Sequence, residues 1–73
     1  MYTYQTKAGV FSIIQRDKKW HIIYQNENLG SYISPRMAAS DLSGGHTFSP
    51  SNGIDPGKLG IPEDINEWEL INS

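Results

Sequence analysis

The residues best suited to acid–base chemistry in this chain are its two histidines, His21 and His46. In hydrolases and transferases such a base must hold a nucleophile and be oriented by a third group. His46 has Asp41 and Ser43 nearby in sequence, which is compatible with a small polar site. A residue just after a helix can instead satisfy the last free carbonyl groups. Because no nucleophile and orienting group stand at a recognisable spacing, we expect a structural His46 and no enzymatic activity.

The sequence offers no ligand set for a metal ion or a cofactor. It contains no cysteine, its histidines are far apart, and its carboxylates crowd towards the C-terminal end. This arrangement matches neither a zinc nor a calcium site. The pair Gly44-Gly45 follows a predicted helix, whereas a phosphate-binding loop precedes one. We therefore expect no metal and no cofactor, and the lack of cysteine fits a reducing compartment.

Charge and hydropathy predict a cytoplasmic protein without a strongly charged partner. Six Lys and Arg against eight Asp and Glu give a formal net charge of −2, with a mildly basic first half and an acidic tail. This balance is too mild for strong electrostatic steering. The longest apolar runs fall far short of the roughly 20 residues of a membrane span, and the N-terminus lacks a signal-sequence pattern.

The 73 residues predict a single domain, residues 1–73, that begins with an antiparallel meander over residues 1–33. Alternating apolar residues mark the strands, and short polar links join them. Gly30 inside the fourth strand indicates a bulge or a close approach by a bulky side chain, for which Trp20 is the candidate. Ile14 and Ile23 are out of phase with their larger neighbours. We therefore expect the second sheet face to be partly covered by the C-terminal segment.

After the meander the hydrophobic period changes to that of a helix. Ser34 is a suitable N-cap and Pro35 a suitable first residue, so we predict a helix over residues 34–43 that packs through Ala38 and Leu42 and ends at Gly44-Gly45. A loop over residues 44–60 follows, with Phe48, Ile54 and Leu59 as its only large apolar anchors. Residues 61–70 predict a short C-terminal helical turn, and residues 69–73 should fray, with docking of Leu70 or Ile71 as the alternative. The fold class is therefore α+β, with a three- or four-stranded antiparallel meander and one helix packed across it.

The order of elements over residues 10–45 resembles the DNA-binding domains of plant ethylene-response factors and the arm-binding domains of phage integrases. The likeness rests on a tryptophan-bearing strand, on Leu-Gly-Ser-Tyr at residues 29–32 and on the alanine-rich helix after Ser34-Pro35. Those domains use the open face of a sheet, so the resemblance implies a nucleic-acid surface here. A basic face that makes about 6 to 10 phosphate contacts needs more cations than this chain has, so nucleic-acid binding is the alternative function. The implied contact residues are Arg16, Lys18, Lys19 and His21.

A second resemblance spans nearly the full length. This chain is similar to a group of small bacterial proteins without an assigned activity. The similar segments are residues 2–9, 29–35, 41–47 and 61–68. This resemblance implies kinship and a bacterial origin, and it implies no mechanism.

These exclusions predict a non-enzymatic interaction module that binds another protein or itself. Aromatic side chains often anchor protein interfaces. Trp68 falls on the same helical face as Ile61 and Ile65, so we also expect it to close the core. The candidate contact residues are Trp20, Tyr24, Tyr32, His46 and Trp68.

Overall fold

The computed structural model describes residues 1–71, and its α+β fold agrees with the sequence prediction. The helix has nine residues, and within the described range no helix is long and apolar enough to cross a membrane. In chain order the elements are β1 (Tyr2–Thr6), β2 (Gly9–Arg16), β3 (Lys19–Tyr24), β4 (Glu27–Tyr32), α1 (Pro35–Ser43), two 3₁₀ turns (Pro56–Lys58 and Ile65–Glu67) and β5 (Glu69–Leu70). The strands form one antiparallel sheet in the order β4-β3-β2-β1-β5.

Strands β1 to β4 form the predicted meander, because tight polar turns connect them. Asp17 and Lys18 between β2 and β3 have φ values of 53° and 64°, and Gln25 and Asn26 between β3 and β4 have values of 49° and 65°. Positive φ at both central residues is typical of type I′ turns, whose twist matches that of the flanking strands. The turns therefore hold neighbouring strands in register.

The end of the chain differs from the helical turn predicted over residues 61–70. Only Ile65–Glu67 form a 3₁₀ turn, and Glu69–Leu70 then pair with the start of β1 as β5. The amide of Ile71 also donates to the Met1 carbonyl oxygen at 2.7 Å. The predicted fraying is therefore wrong for residues 69–71, because the edge of β1 supplies hydrogen-bond partners from the other end of the chain. Residues 72 and 73 lie outside the described residues.

The core lies between the sheet and α1. Phe11 and Tyr24 stack with their ring centroids 4.3 Å apart, and Ile13 and Ile22 are fully buried beside them. Burial of such a side chain contributes about 1.5–3 kcal/mol. The helix supplies the small residues that the sequence predicted for close packing. The other buried apolar residues of the core are Leu29, Ala38, Ala39, Leu42, Ile61 and Trp68.

The C-terminal segment covers the same sheet face as the helix. Trp68 packs against Tyr4, with their ring centroids 5.8 Å apart, and both belong to the cluster on the helix side. The expectation that this segment covers the second face is therefore wrong. The reason is that the 3₁₀ turn before Trp68 docks beside α1 before the chain reaches β1.

A bulge in β4 explains Gly30. Ile22 pairs with Gly30 and Ile23 with Asn28, so Leu29 is the extra residue and its side chain enters the core. A Cβ on Gly30 would lie 3.0 Å from the Tyr32 ring. The predicted bulge is confirmed, but the bulky neighbour closest to Gly30 is Tyr32 and not Trp20.

Helix α1 begins and ends where the sequence predicts. The Ser34 hydroxyl accepts a hydrogen bond from the Met37 amide at 3.2 Å, and Pro35 takes the first helical position. At the other end the amides of Gly45 and His46 donate to carbonyl oxygens of the last turn at 3.1 and 2.9 Å. This pair of bonds is a Schellman motif, in which Gly45 has the positive φ of 74°.

The loop over residues 44–60 is held against the turns of the meander by hydrogen bonds. The Asn52 amide group donates to the Tyr24 hydroxyl at 3.1 Å, and the backbone N–H of Ser51 donates to both Glu27 carboxylate oxygens at 3.1 Å. The Tyr24 hydroxyl in turn donates to the Ala8 carbonyl oxygen at 2.7 Å. A core tyrosine thus ties the loop to the turn between β1 and β2.

Packing also fixes this loop. Gly57 lies against the end of α1, where a Cβ on Gly57 would be 3.1 Å from the Gly45 Cα. Ile54 and Leu59 pack against the core, as expected of anchors, whereas the Phe48 side chain is 74% exposed. The loop is therefore pinned at its middle and end.

Candidate contact surface

The sheet face opposite α1 lies open. Successive side chains along a strand point to opposite faces, so the neighbours of the core residues point away from the helix. In the part of the chain that the structure describes, the helix and the 3₁₀ turns pack on the core side. We call the uncovered surface the open face. It includes Thr3, Gln5, Val10, Ser12, Ile14, Arg16, Lys19, His21, Ile23, Asn28, Ser31 and Glu69.

Basic side chains lie together at one end of the open face. Arg16 and Lys19 pair directly across the β2–β3 register, and Lys18 occupies the adjoining turn. All three are exposed, and the carboxylate in the same turn is that of Asp17. The fold therefore brings together the residues that the resemblance to DNA-binding domains implies.

His21 lies next to this basic end and is held by two hydrogen bonds. Its Nε2 donates to the Arg16 carbonyl oxygen at 3.3 Å, and its Nδ1 accepts from the Asn28 amide group at 3.0 Å. The Asn28 oxygen accepts from the Gly30 amide at 2.9 Å, which fixes the orientation of the Asn28 side chain. These bonds engage both ring nitrogens and none of them reaches a hydroxyl group, so the arrangement orients His21 and does not activate a nucleophile.

Apolar side chains extend along the open face from Val10, beside the turn between β1 and β2, to Ile23 and Ile14. Val10 is 45% exposed, and Ile14 and Ile23 are half-buried by their neighbours within the sheet. The sequence analysis did not assign these residues to a contact surface. The signal for them was the adjacent isoleucines at residues 13–14 and 22–23, since alternation places one member of each pair on either face.

The predicted aromatic contact residues lie on the core side of the sheet. Tyr24 is 1% exposed and Trp68 is 5% exposed, and the Trp68 indole N–H donates to the Pro62 carbonyl oxygen at 3.0 Å. Such side chains present almost no area to a partner, so both residues serve the core, as expected for Trp68. Trp20 is partly buried and packs against Tyr2, with ring centroids 5.9 Å apart.

Tyr32 is also partly buried, close to the end of α1. Burial and, to a smaller extent, the neighbouring Asp41 carboxylate raise the pKa of Tyr32 to about 12. Both effects disfavour the phenolate form. Tyr32 is therefore a neutral side chain at physiological pH and a poor candidate for a base.

His46 borders a shallow groove at the β4 edge of the sheet. This groove of about 270 Å³ is also lined by Tyr32 and Phe48, and the Phe48 amide donates to the Leu29 carbonyl oxygen at 3.1 Å. The imidazole lies against Gly44, where an added Cβ would be 2.7 Å from the ring. His46 is exposed, and its backbone N–H helps to close the helix end by donating to the Asp41 carbonyl oxygen at 2.9 Å.

A second groove of about 360 Å³ separates α1 from the C-terminal segment, with Arg36 and Ser40 on one side and Glu63, Asp64 and Asn66 on the other. Within residues 1–71, no three His, Asp or Glu side chains are grouped to hold a metal ion. No family model, curated protein or solved structure matches this chain.

Proposed function

We propose that this chain is a non-enzymatic interaction module that binds another protein through the open face of its sheet. The observation that carries the proposal is the uncovered apolar strip of Val10, Ile14 and Ile23, with polar and charged side chains around it. Protein interfaces commonly combine an apolar centre with a polar rim. A sheet face of this composition is suited to contact a partner.

The placement of the two histidines supports a non-enzymatic role. His21 uses its ring nitrogens to hold Asn28 and the Arg16 backbone, and the exposed His46 ring lies against Gly44 at the capped end of α1. An acyl- or phosphoryl-transfer site needs a base within hydrogen-bond reach of its nucleophile or water. Neither histidine has that arrangement in the described residues.

Charge placed in the apolar strip tests the proposed surface. We expect Ile23→Glu to abolish capture of the partner protein from an extract of the source cells, because a carboxylate in the apolar centre must be desolvated on binding. Met37→Glu is the matched control, since Met37 is 48% exposed on the helix and lies off the open face. Circular dichroism establishes that both variants are folded. If Ile23→Glu captures the same proteins in the same amounts as the wild type, the open face is not the contact surface.

Duplex nucleic acid is the second candidate partner. The observation in its favour is that Arg16, Lys18 and Lys19 lie at one end of an uncovered sheet, next to His21. A β-sheet or β-ribbon can enter the major groove of a duplex. With three cations, the logarithm of the affinity should fall with the logarithm of the salt concentration with a slope of about −2.7.

The six basic residues of the chain divide into two matched sets for this test. Replacing Arg16, Lys18 and Lys19 with alanine should abolish the mobility shift of a labelled duplex at low salt. Replacing the other three, Lys7, Arg36 and Lys58, changes the net charge equally and should leave the shift in place. Absence of any shift by the wild-type chain, or equal losses in both variants, would remove duplex recognition by this face.

A further inference from the structure

The open face carries a net positive charge at one end and apolar surface in its middle. Arg16 and Lys19 lie across the β2–β3 register from each other, and Ile14 and Ile23 lie further along the same two strands. Asp17 lies in the turn beside these cations, and Glu69 of β5 pairs with Thr3 on the same face. A partner that covers the whole face must therefore match two chemistries, an apolar centre and a cationic end.

A second copy of this chain does not provide the missing negative charge. Glu69 of β5 pairs with Thr3, and Thr3 pairs with Ser12 of β2. Arg16 lies a further 14 Å or so along β2, at about 3.4 Å per residue, so Glu69 is level with the middle of β2 and the cations lie at its end. A second copy packed face to face would offer the Glu69 carboxylate to three cations. Its Asp17 carboxylate is flanked in sequence by Arg16 and Lys18, so it adds no net negative charge.

A nucleic-acid backbone matches the cationic end but not the apolar centre. Proteins that bind duplexes tightly make about 6 to 10 phosphate contacts, and this face offers three permanent cations. Val10, Ile14 and Ile23 contribute no phosphate contact, and their burial is favourable only against another apolar surface. The mixed face is better matched by a protein.

We infer that the partner of the open face is a protein surface with an apolar centre and carboxylates at one end, which lie over Arg16, Lys18 and Lys19. This inference rests on the proposed function, because it assigns the chemistry of the partner at the same surface. Charge complementarity at such an interface sets the orientation of the partner and its association rate, whereas the buried apolar centre supplies most of the affinity.

Model ligands of stated composition test both halves of the inference. The probes are a short amphipathic helical peptide of leucine and glutamate, a matched peptide of leucine and lysine, a peptide of serine and glutamate, and a DNA duplex. Each is titrated at physiological salt into the ¹⁵N-labelled chain, and the amide shifts report where it binds. The leucine–glutamate peptide should shift amides of β2 and β3. Its affinity should be about tenfold or more above that of either other peptide, which corresponds to about 1.4 kcal/mol.

Charge reversal supplies the matched control. Arg16→Glu with Lys19→Glu should weaken binding of the leucine–glutamate peptide at least about tenfold and should improve binding of the leucine–lysine peptide. Arg36→Glu with Lys58→Glu gives the same net charge away from the open face and should change neither affinity more than about twofold.

Four results overturn the inference. Equal binding of the glutamate and lysine peptides, or equal effects of the two charge-reversed variants, would show that the cationic end does not select the partner. Tighter binding of the duplex at the same amides would assign nucleic acid as the partner and leave the open face as the contact surface. If no probe shifts the amides of β2 and β3, the inference fails, and only the capture experiment with Ile23→Glu then decides the proposed function.

Discussion

Replacing Gly45 with alanine tests how the end of α1 is joined to the loop. Gly45 has a φ of 74°, a conformation that costs a residue with a Cβ about 1–2 kcal/mol. The added Cβ would also lie 3.2 Å from Asp55 Oδ1 and 3.5 Å from the Gly57 Cα. Because Asp55 Oδ1 accepts the Gly57 amide at 2.9 Å, both crowded atoms belong to one hydrogen-bonded segment that must shift away from α1. Overpacking of this kind costs about 1–3 kcal/mol.

The two effects together predict a loss of about 2–5 kcal/mol in the free energy of unfolding. A domain of this size has a net free energy of unfolding of only about 3–5 kcal/mol. The Gly45→Ala chain should therefore be unfolded to a substantial fraction. Gly53→Ala is the matched control, because Gly53 also has a positive φ, 83°, but an added Cβ there meets no atom within 4 Å. We expect the control to lose only the conformational part, about 1–2 kcal/mol.

Urea unfolding followed by tryptophan fluorescence measures both variants against the wild type. The expected order of midpoints is wild type, then Gly53→Ala, then Gly45→Ala. If the two variants lose the same free energy, the close approach of Gly45 to Gly57 does not stabilise the fold and the packing argument is refuted.

Three further measurements test other contacts. Ser34→Ala removes the N-cap of α1 and should cost about 1 kcal/mol in thermal unfolding, whereas Ser40→Ala on the exposed helix face should stay within about 0.5 kcal/mol. Trp68→Phe leaves the Pro62 carbonyl oxygen without its indole donor and should cost about 1–3 kcal/mol; an unchanged melting temperature would contradict this. Because the pKa of Tyr32 is raised from 10.0 to about 12, the folded chain holds that proton more tightly than the unfolded chain, so stability should fall as the pH rises from 10 to 12. The Tyr32→Phe variant should lack the part of this fall in stability that the Tyr32 hydroxyl causes. If the variant and the wild type lose equal stability between pH 10 and 12, the raised pKa of Tyr32 does not contribute.

Local features of the fold were predictable because they depend on neighbours within a few residues. Ser34 and Pro35 begin the helix through bonds and backbone angles of the first turn, and Gly45 ends it with a left-handed residue. The alternation of apolar residues in residues 1–33 identified the strands for the same reason. The predicted C-terminal turn was partly wrong because β5 forms on a strand edge at the opposite end of the chain.

The candidate surface was only partly predictable. The basic residues Arg16, Lys18 and Lys19 were identified, but through a resemblance and not through a sign of exposure. Aromatic residues were the wrong guide to the surface, because Tyr24 and Trp68 are large enough to fill the interior of a small domain.

The order of β1 to β4 and α1, the turns between these elements and the two ends of the helix were predictable from the sequence, since each depends on short-range backbone preferences. Only the tertiary structure decided which face of the sheet is covered. Ile13 and Ile14 are equally apolar neighbours, yet Ile13 is buried beneath the helix and Ile14 lies on the open face. The choice depends on where α1 and the C-terminal segment return across the sheet, and contacts between residues distant in sequence fix that path.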